Sequence, residues 1–194
     1  MNLKNVGLIG RVMPLEDTLW MAFSGTGVEF FVTGTFARIA FLADDTWCGI
    51  PENRARVAVY VDEERVVDTL LDKPETVITA FKSEEPETHL VRVIKLSESA
   101  MSTCGISGIE TDGEMVPAGG KSGLIEFIGD SITCGYGVDD EDRDHHFATA
   151  TEDVTRAFAY KTARELEADY SMVSFSGYGI VSGYTGTGEK VGNQ

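Results

Sequence analysis

The stretch "LIEFIGDSITCGYGVDD", residues 124–140, is where the chain changes character. Leu124, Ile125, Phe127 and Ile128 form a short apolar run of β-branched and aromatic residues, the composition of a strand buried on both faces of a parallel sheet. Gly129 ends it. A serine preceded by an aspartate follows, so Ser131 stands where a strand of an open α/β sheet hands over to a loop or helix. Such sheets place their ligands at that carboxyl edge of the strands.

Downstream come an acidic loop, "VDDEDRDHH", and the segment "EDVTRAFAYKTARELEADY". In the latter, Phe158, Ala159, Ala163 and Leu166 fall on one face at helical spacing, and Thr151 is the expected N-cap ahead of Glu152 and Asp153. "YSMVSFSG" reads as a second strand, completing the βαβ unit that opens a parallel sheet. Only about 70 residues are left for this unit, fewer than a doubly wound domain needs, so residues 124–194 read as a truncated α/β domain.

Upstream the texture differs. Short strands are expected at Val28–Val32, Ala37–Leu42, Arg56–Val61, Arg65–Leu70, Thr76–Phe81 and His89–Leu96, with a hairpin turn at "DEE" and a polar connection at "KSEEPET". Closely spaced strands without βαβ alternation indicate an all-β sandwich of jelly-roll type over residues 1–115. Pro117, Gly119, Gly120 and Gly123 mark a linker over 116–123. The fold expected is therefore multi-domain, a jelly-roll sandwich followed by the start of an α/β domain.

A formal charge of −16 excludes nucleic acid and anionic membrane surfaces as partners and suits a neutral substrate. The N-terminus has no secretory h-region and no stretch could span a bilayer; with Met1 as natural start the protein is cytoplasmic, and with a signal removed it is secreted. Cys48, Cys104 and Cys134 form neither a disulfide framework nor a C-x-x-C motif, and Cys134 reads as a small buried hydrophobe. Trp20, Trp47, Phe30, Phe31 and Phe36 read as sandwich core, with a sugar-stacking platform as the alternative.

A nucleophilic serine needs exposure, a base, and backbone N–H groups aimed at the developing oxyanion. Ser131 at a strand-to-loop transition meets the first and third needs, although the G-x-S-x-G of α/β-hydrolases is absent. "FIGDSITCGYG" resembles block I of the SGNH, or GDSL, hydrolases. A jelly-roll-like domain ahead of that block, with "VSFSGYGIVSGY" in the place of block II, is similar to carbohydrate esterase family 2. The resemblance implies a flavodoxin-like SGNH domain and removal of acetyl groups from polysaccharides such as xylan, with no metal and no cofactor. It makes Ser131 the nucleophile and one oxyanion donor through its own N–H. Gly179 becomes the second donor, with Gly177 as second choice, and Asp130 holds the loop. Tyr184 occupies the place of a pocket aromatic. The partner implied is an acetylated oligo- or polysaccharide, together with the remainder of the polypeptide or a second fragment; a homo-oligomer is compatible with it.

The block III asparagine and the block V histidine that serves as general base fall after Gln194 in the family's order. His145 and His146 lie in the charged loop and read as solvated, neither the base for Ser131 nor, with Asp142 and Asp144, a metal site; His89 lies inside a sandwich strand. Two other readings stay open: a carbohydrate-binding protein with an inactive SGNH-like domain, and a GDSL lipase or thioesterase acting on other acyl esters.

Overall fold

The computed structural model describes residues 5–179 and residue 183. Nine strands make one curled antiparallel sheet: β1 (Gly7–Ile9), β2 (Val12–Leu15), β3 (Thr18–Met21), β4 (Gly27–Ala43), β5 (Arg56–Val61), β6 (Glu64–Leu70), β7 (Glu75–Lys95), β8 (Cys104–Thr111) and β9 (Glu114–Pro117). Their order is β2-β3-β8-β4-β7-β5-β6, with β1 and β9 also paired to β4. The shape is jelly-roll-like. A core of Leu19, Met21, Phe30, Ile39, Phe41, Val57, Val59, Val91, Val93 and Ile106 fills its interior.

Four of the expected strands merge into two long ones. Residues 28–32 and 37–42 are both in β4, and its inward set changes from Val28, Phe30 and Val32 to Ala37, Ile39 and Phe41 across register shifts at Gly34/Phe36 and Ala37/Arg38. The "KSEEPET" segment is not a connection between strands but lies within β7. There Gly34 faces Glu87 and Phe36 faces Lys82, so Thr35 alone stands opposite residues 83–86 and Pro86 gives up no ladder bond. The hairpin at Asp62 and Glu63 is as expected: both residues have positive φ, 50° and 72°, which fits the twist of β5 and β6. The last sandwich strand takes in Val116 and Pro117, which pair with Phe31 and Phe30.

Two further strands, β10 (Leu124–Gly129) and β11 (Asp169–Ser174), are parallel, in the register Leu124↔Asp169 to Gly129↔Ser174. Between them lie a four-residue helix α1 (Ser131–Cys134) and the helix α2 (Phe158–Glu165). Thr151 does not cap α2. It belongs to a 3-10 turn, Thr149–Thr151; Asp153 caps the next, Val154–Arg156, and Ala157 precedes α2. The buried face of α2 is Ala159, Tyr160 and Ala163, while Phe158 and Leu166 are exposed.

Among the described residues, β10 is covered on one face only. Ile125 and Phe127 share a face with Tyr170 and Met172, whereas Leu124 and Ile128, 69% and 78% exposed, lie on the other. The doubly buried strand is instead the end of β7: every residue from Val91 to Glu98 is buried. Val91 and Val93 face the sandwich core. Ile94 and Leu96, with Ala58 and Tyr60, meet Val154, Ala159, Tyr160, Ala163, Tyr170 and Met172 in a second core between the sandwich and the α/β segment. Ion pairs across this seam join Arg56 to Asp139, Arg65 to Asp153, Arg164 to Glu63 and Arg11 to Glu126.

Candidate active site

Ser131 opens α1 directly after β10 and is half-buried. Asp130 is the N-cap: its Oδ1 accepts from Ile132 N–H at 3.1 Å and its carbonyl from Thr133 and Cys134 N–H. The N–H of Ser131, in the first turn, has no intrahelical acceptor. The Ser131 carbonyl receives Gly135 and Tyr136 N–H at 3.1 and 3.0 Å, closing the turn behind the hydroxyl. Two glycines make this turn possible. A Cβ on Gly129 would run into the Thr133 side chain, and Gly135 has φ +85° with the Asp153 carbonyl 2.5 Å from where its Cβ would be.

Because β10 and β11 are parallel and Gly129 pairs with Ser174, the residues after both strands leave from the same carboxyl edge. Phe175 N–H donates to the Gly129 carbonyl at 3.2 Å, and Tyr178 N–H to the Phe175 carbonyl at 3.3 Å. Gly177 takes φ +84° within this turn, and Gly179 follows it, exposed. The structure thus brings Asp130, Ser131, Gly177 and Gly179 to one edge; Tyr184 lies outside the described residues.

The histidines sit elsewhere. His145 is exposed and its Nδ1 lies 2.8 Å from Asp140, and His146 is exposed. His89 has both ring nitrogens against carboxylates, Nδ1 at 2.6 Å from Asp62 and Nε2 at 3.0 Å from Glu87. Hydrogen bonding to Asp62 raises its pKa, burial opposes this, and Glu87 adds to the rise. Cys134 is buried and donates to Ser174 Oγ at 3.2 Å, and burial raises its pKa well beyond the ordinary thiol range, so it holds the turn as a neutral thiol. Cys104, also buried, is pushed up to about 12.

Several contacts had no sequence signal. Tyr136 stacks on Phe147, centroids 4.9 Å apart, beside the serine turn. Phe23 meets Phe175 edge-on at 5.3 Å, so the sandwich touches the second turn directly. Phe23 also lines an apolar groove of about 320 Å³ with Trp20, Met13 and Met21. Of the aromatics expected in the core, Phe30 is there. Trp20 and Trp47 are half-buried, Phe31 points outward because the strand alternates, and Phe36 lies under the Arg38 guanidinium. Glu98, just past β7, accepts from Ser176 N–H at 2.8 Å.

A curled jelly-roll-like sheet with a serine turn docked on its outer face defines the class. The chain belongs to carbohydrate esterase family 2: the family model described as "Carbohydrate esterase 2 N-terminal" matches residues 8–118. It is 35% identical over 187 residues to the acetylxylan esterase / glucomannan deacetylase of Cellvibrio japonicus, covering 92% of this chain and 49% of that protein. Among solved structures it is similar to an acetyl xylan esterase from the rumen bacterium Butyrivibrio proteoclasticus, with 27% identity and a TM-score of 0.83, covering 94% of this chain and 49% of that one. It also resembles a family 2 carbohydrate esterase plus carbohydrate binding domain from Corynascus thermopiles (Myceliophthora fergusii), with 31% identity and a TM-score of 0.75, covering 92% and 51%. The chain spans about half the length of the relatives it matches.

Proposed function

We propose that this chain carries the nucleophile half of a serine esterase that deacetylates O-acetylated saccharides. Ser131 Oγ attacks the acetyl carbonyl carbon while its proton passes to a histidine later in the polypeptide. The N–H groups of Ser131 and Gly179, with Gly177 second in line, receive the oxyanion. The tetrahedral species collapses, the C–O bond to the sugar breaks, and the sugar oxygen takes the proton from the histidine. Water then attacks acetyl-Ser131, giving acetate and free serine. Asp130 holds the turn through its cap and takes no proton.

The observation that carries this reading is the parallel pairing of Gly129 with Ser174, which sets the serine turn beside a second, glycine-bearing turn at one sheet edge. The relatives' names, acetylxylan esterase and glucomannan deacetylase, favour sugar esters over lipids. The remaining polypeptide supplies the base and the rest of an SGNH-type α/β domain. The test is hydrolysis of 4-nitrophenyl acetate by this chain and by the chain extended with its downstream sequence, each with and without Ser131→Ala. Activity in the extended protein alone, abolished by the substitution, is the expected result. Retained activity in the extended Ser131→Ala protein would sink the proposal.

A further inference from the structure

Behind the two turns lies a pair of carboxyl groups sealed from water. Glu98 belongs to the segment leaving β7, and Glu152 to the segment leading into the 3-10 turn before α2; both are 0% exposed. Glu98 N–H donates to Glu152 Oε1 at 2.9 Å, and Glu98 Oε2 takes the Ser176 N–H at 2.8 Å. Among the described residues, the other two oxygens, Glu98 Oε1 and Glu152 Oε2, are buried and have no hydrogen-bond partner. One carboxylate oxygen of each residue and Cys134 Sγ lie within 4.8 Å of one another. Lys95, also fully buried, directs its ammonium at the Ser97 and Glu98 carbonyls rather than at either carboxyl.

Two unpaired, buried acceptor oxygens on adjacent acids are costly as two charges and satisfied at once by a single proton. We propose that Glu98 and Glu152 share one proton, in an O–H···O bond from Glu152 Oε2 to Glu98 Oε1. The pair then acts as a positioning device, clamping the 175–179 turn that presents the second oxyanion donor. This rests on the esterase reading above. Burial, reinforced by the neighbouring Glu98, pushes the Glu152 carboxyl up to about 8, against the pull of Lys95. The other groups facing the pair are the Cys134 thiol from α1 and Arg56 from β5, whose Nη1 donates to the Glu152 carbonyl; Cys104 and Asp44 face Lys95. A proton fits better than a metal ion, because two of the four carboxylate oxygens already hold N–H donors and the Lys95 ammonium supplies positive charge beside them.

The experiment uses the complete polypeptide, wild type and with Glu152→Gln, Glu152→Ala and Glu98→Gln. At pH 7 the infrared spectrum of the wild type should show a carboxylic-acid C=O band that is absent from Glu152→Gln. The native state holds a proton that the unfolded chain has released, so wild-type stability should fall as pH rises from the ordinary carboxyl range to about 8 and then level. In Glu152→Gln that slope disappears. In turnover, Glu152→Ala should lower kcat by up to about a hundredfold, the cost of one oxyanion donor, with KM little changed. The amide of Glu152→Gln, able to donate in place of O–H, should recover it and remove the loss of kcat above pH 8. Glu98→Gln should move the loss of the acid band to lower pH without erasing it at acid pH, because Glu152 stays buried but loses the neighbouring charge.

A wild type lacking the band, or a band unchanged by Glu152→Gln, overturns the proposal even if the enzyme is active. A band that behaves as expected in a protein without esterase activity keeps the proton pair and defeats the esterase reading instead. Loss of stability on chelator treatment would assign the cluster to a cation. Should Glu152→Ala fail to fold, the infrared and pH-unfolding arms with Glu152→Gln still decide.

Discussion

Replacing Gly135 by alanine puts a methyl group into the backbone that backs the serine turn. The residue closes α1 with φ +85°, a conformation that costs an L-residue about 1–2 kcal/mol. The new Cβ would sit 2.5 Å from the Asp153 carbonyl oxygen, 2.8 Å from its carbon and 3.0 Å from Val154 N. All three are backbone atoms with no rotamer to escape through, so one segment must move by about 1 Å to reach ordinary contact, at about 1–3 kcal/mol. Gly135→Ala should therefore cost about 2–5 kcal/mol in all. Gly137→Ala supplies the control, since it has φ +60° but, among the described residues, only the Asp140 Cβ within reach, at 4.0 Å, and should lose the conformational share alone. Equilibrium urea unfolding of both variants isolates the clash as the difference. Gly135 also donates to the Ser131 carbonyl, so a displacement on the order of 1 Å carries to the hydroxyl and should lower 4-nitrophenyl acetate turnover by the extended polypeptide about a hundredfold. Equal losses of stability in the two variants would refute the reasoning, because the contact with Asp153 would then carry no cost.

Arg65→Met should destabilise the protein by about 3–5 kcal/mol at pH 7, because it strands the fully buried Asp153 carboxylate. Burial would raise that carboxyl, but Arg65 and Thr155 hold it below the ordinary value. The wild-type pair therefore stabilises above the unfolded carboxyl pKa, and its share fades as pH falls through the lower, folded value. Thermal unfolding should show the variant's penalty shrinking toward acid pH, and a constant penalty would contradict the assignment. His89 gains its two carboxylate partners on folding, so its stabilising share is complete below the unfolded imidazole pKa and is lost as pH rises through the raised, folded one. An NMR titration of His89 should give a midpoint above the ordinary value that drops in Asp62→Asn; an unmoved midpoint would exclude Asp62 as the main cause.

What was legible in the sequence is what local chemistry decides. The "DEE" turn is a polar break between two apolar runs, and "GDS" after an apolar run marks a strand end where Asp130 caps α1 through Ile132 N–H. Thr151, by contrast, is a good cap residue by type, but Asp153 lies two residues on and its carboxylate accepts from Thr155 N–H at 2.9 Å, starting a separate turn. The face of α2 was misread for a similar reason. Apolar spacing places Phe158 and Leu166 with Ala159 and Ala163, yet Tyr160 takes the inward place because its ring packs on Tyr170, at 5.5 Å between centroids. Glu98 carried no signal, since an acid two residues past an apolar strand ordinarily faces water.

The segment "VRVIKLSE" shows why the rest was hidden. Arg92 and Lys95 fall on opposite faces of this strand, Arg92 with Ile94 and Leu96 and Lys95 with Val91 and Val93, and both are buried. Arg92 is held by Glu29 at 2.5 Å and by Glu63 at 2.7 and 2.8 Å, and Glu63 reaches on to Arg164 of α2, so the outward residues of one domain are the inward residues of the seam. A sandwich cut away at residue 118 would uncover Ala58, Tyr60, Ile94 and Leu96, lose the Asp153 partner of Arg65, and open the Glu98–Glu152 pair to water. The sandwich and the serine turn are for that reason one folding unit in energetic terms. The same seam gives the sandwich a direct hold on the turn after β11, through Phe23 on Phe175 and Glu98 on Ser176, so a substitution within the jelly roll can reach the oxyanion donors without touching a substrate.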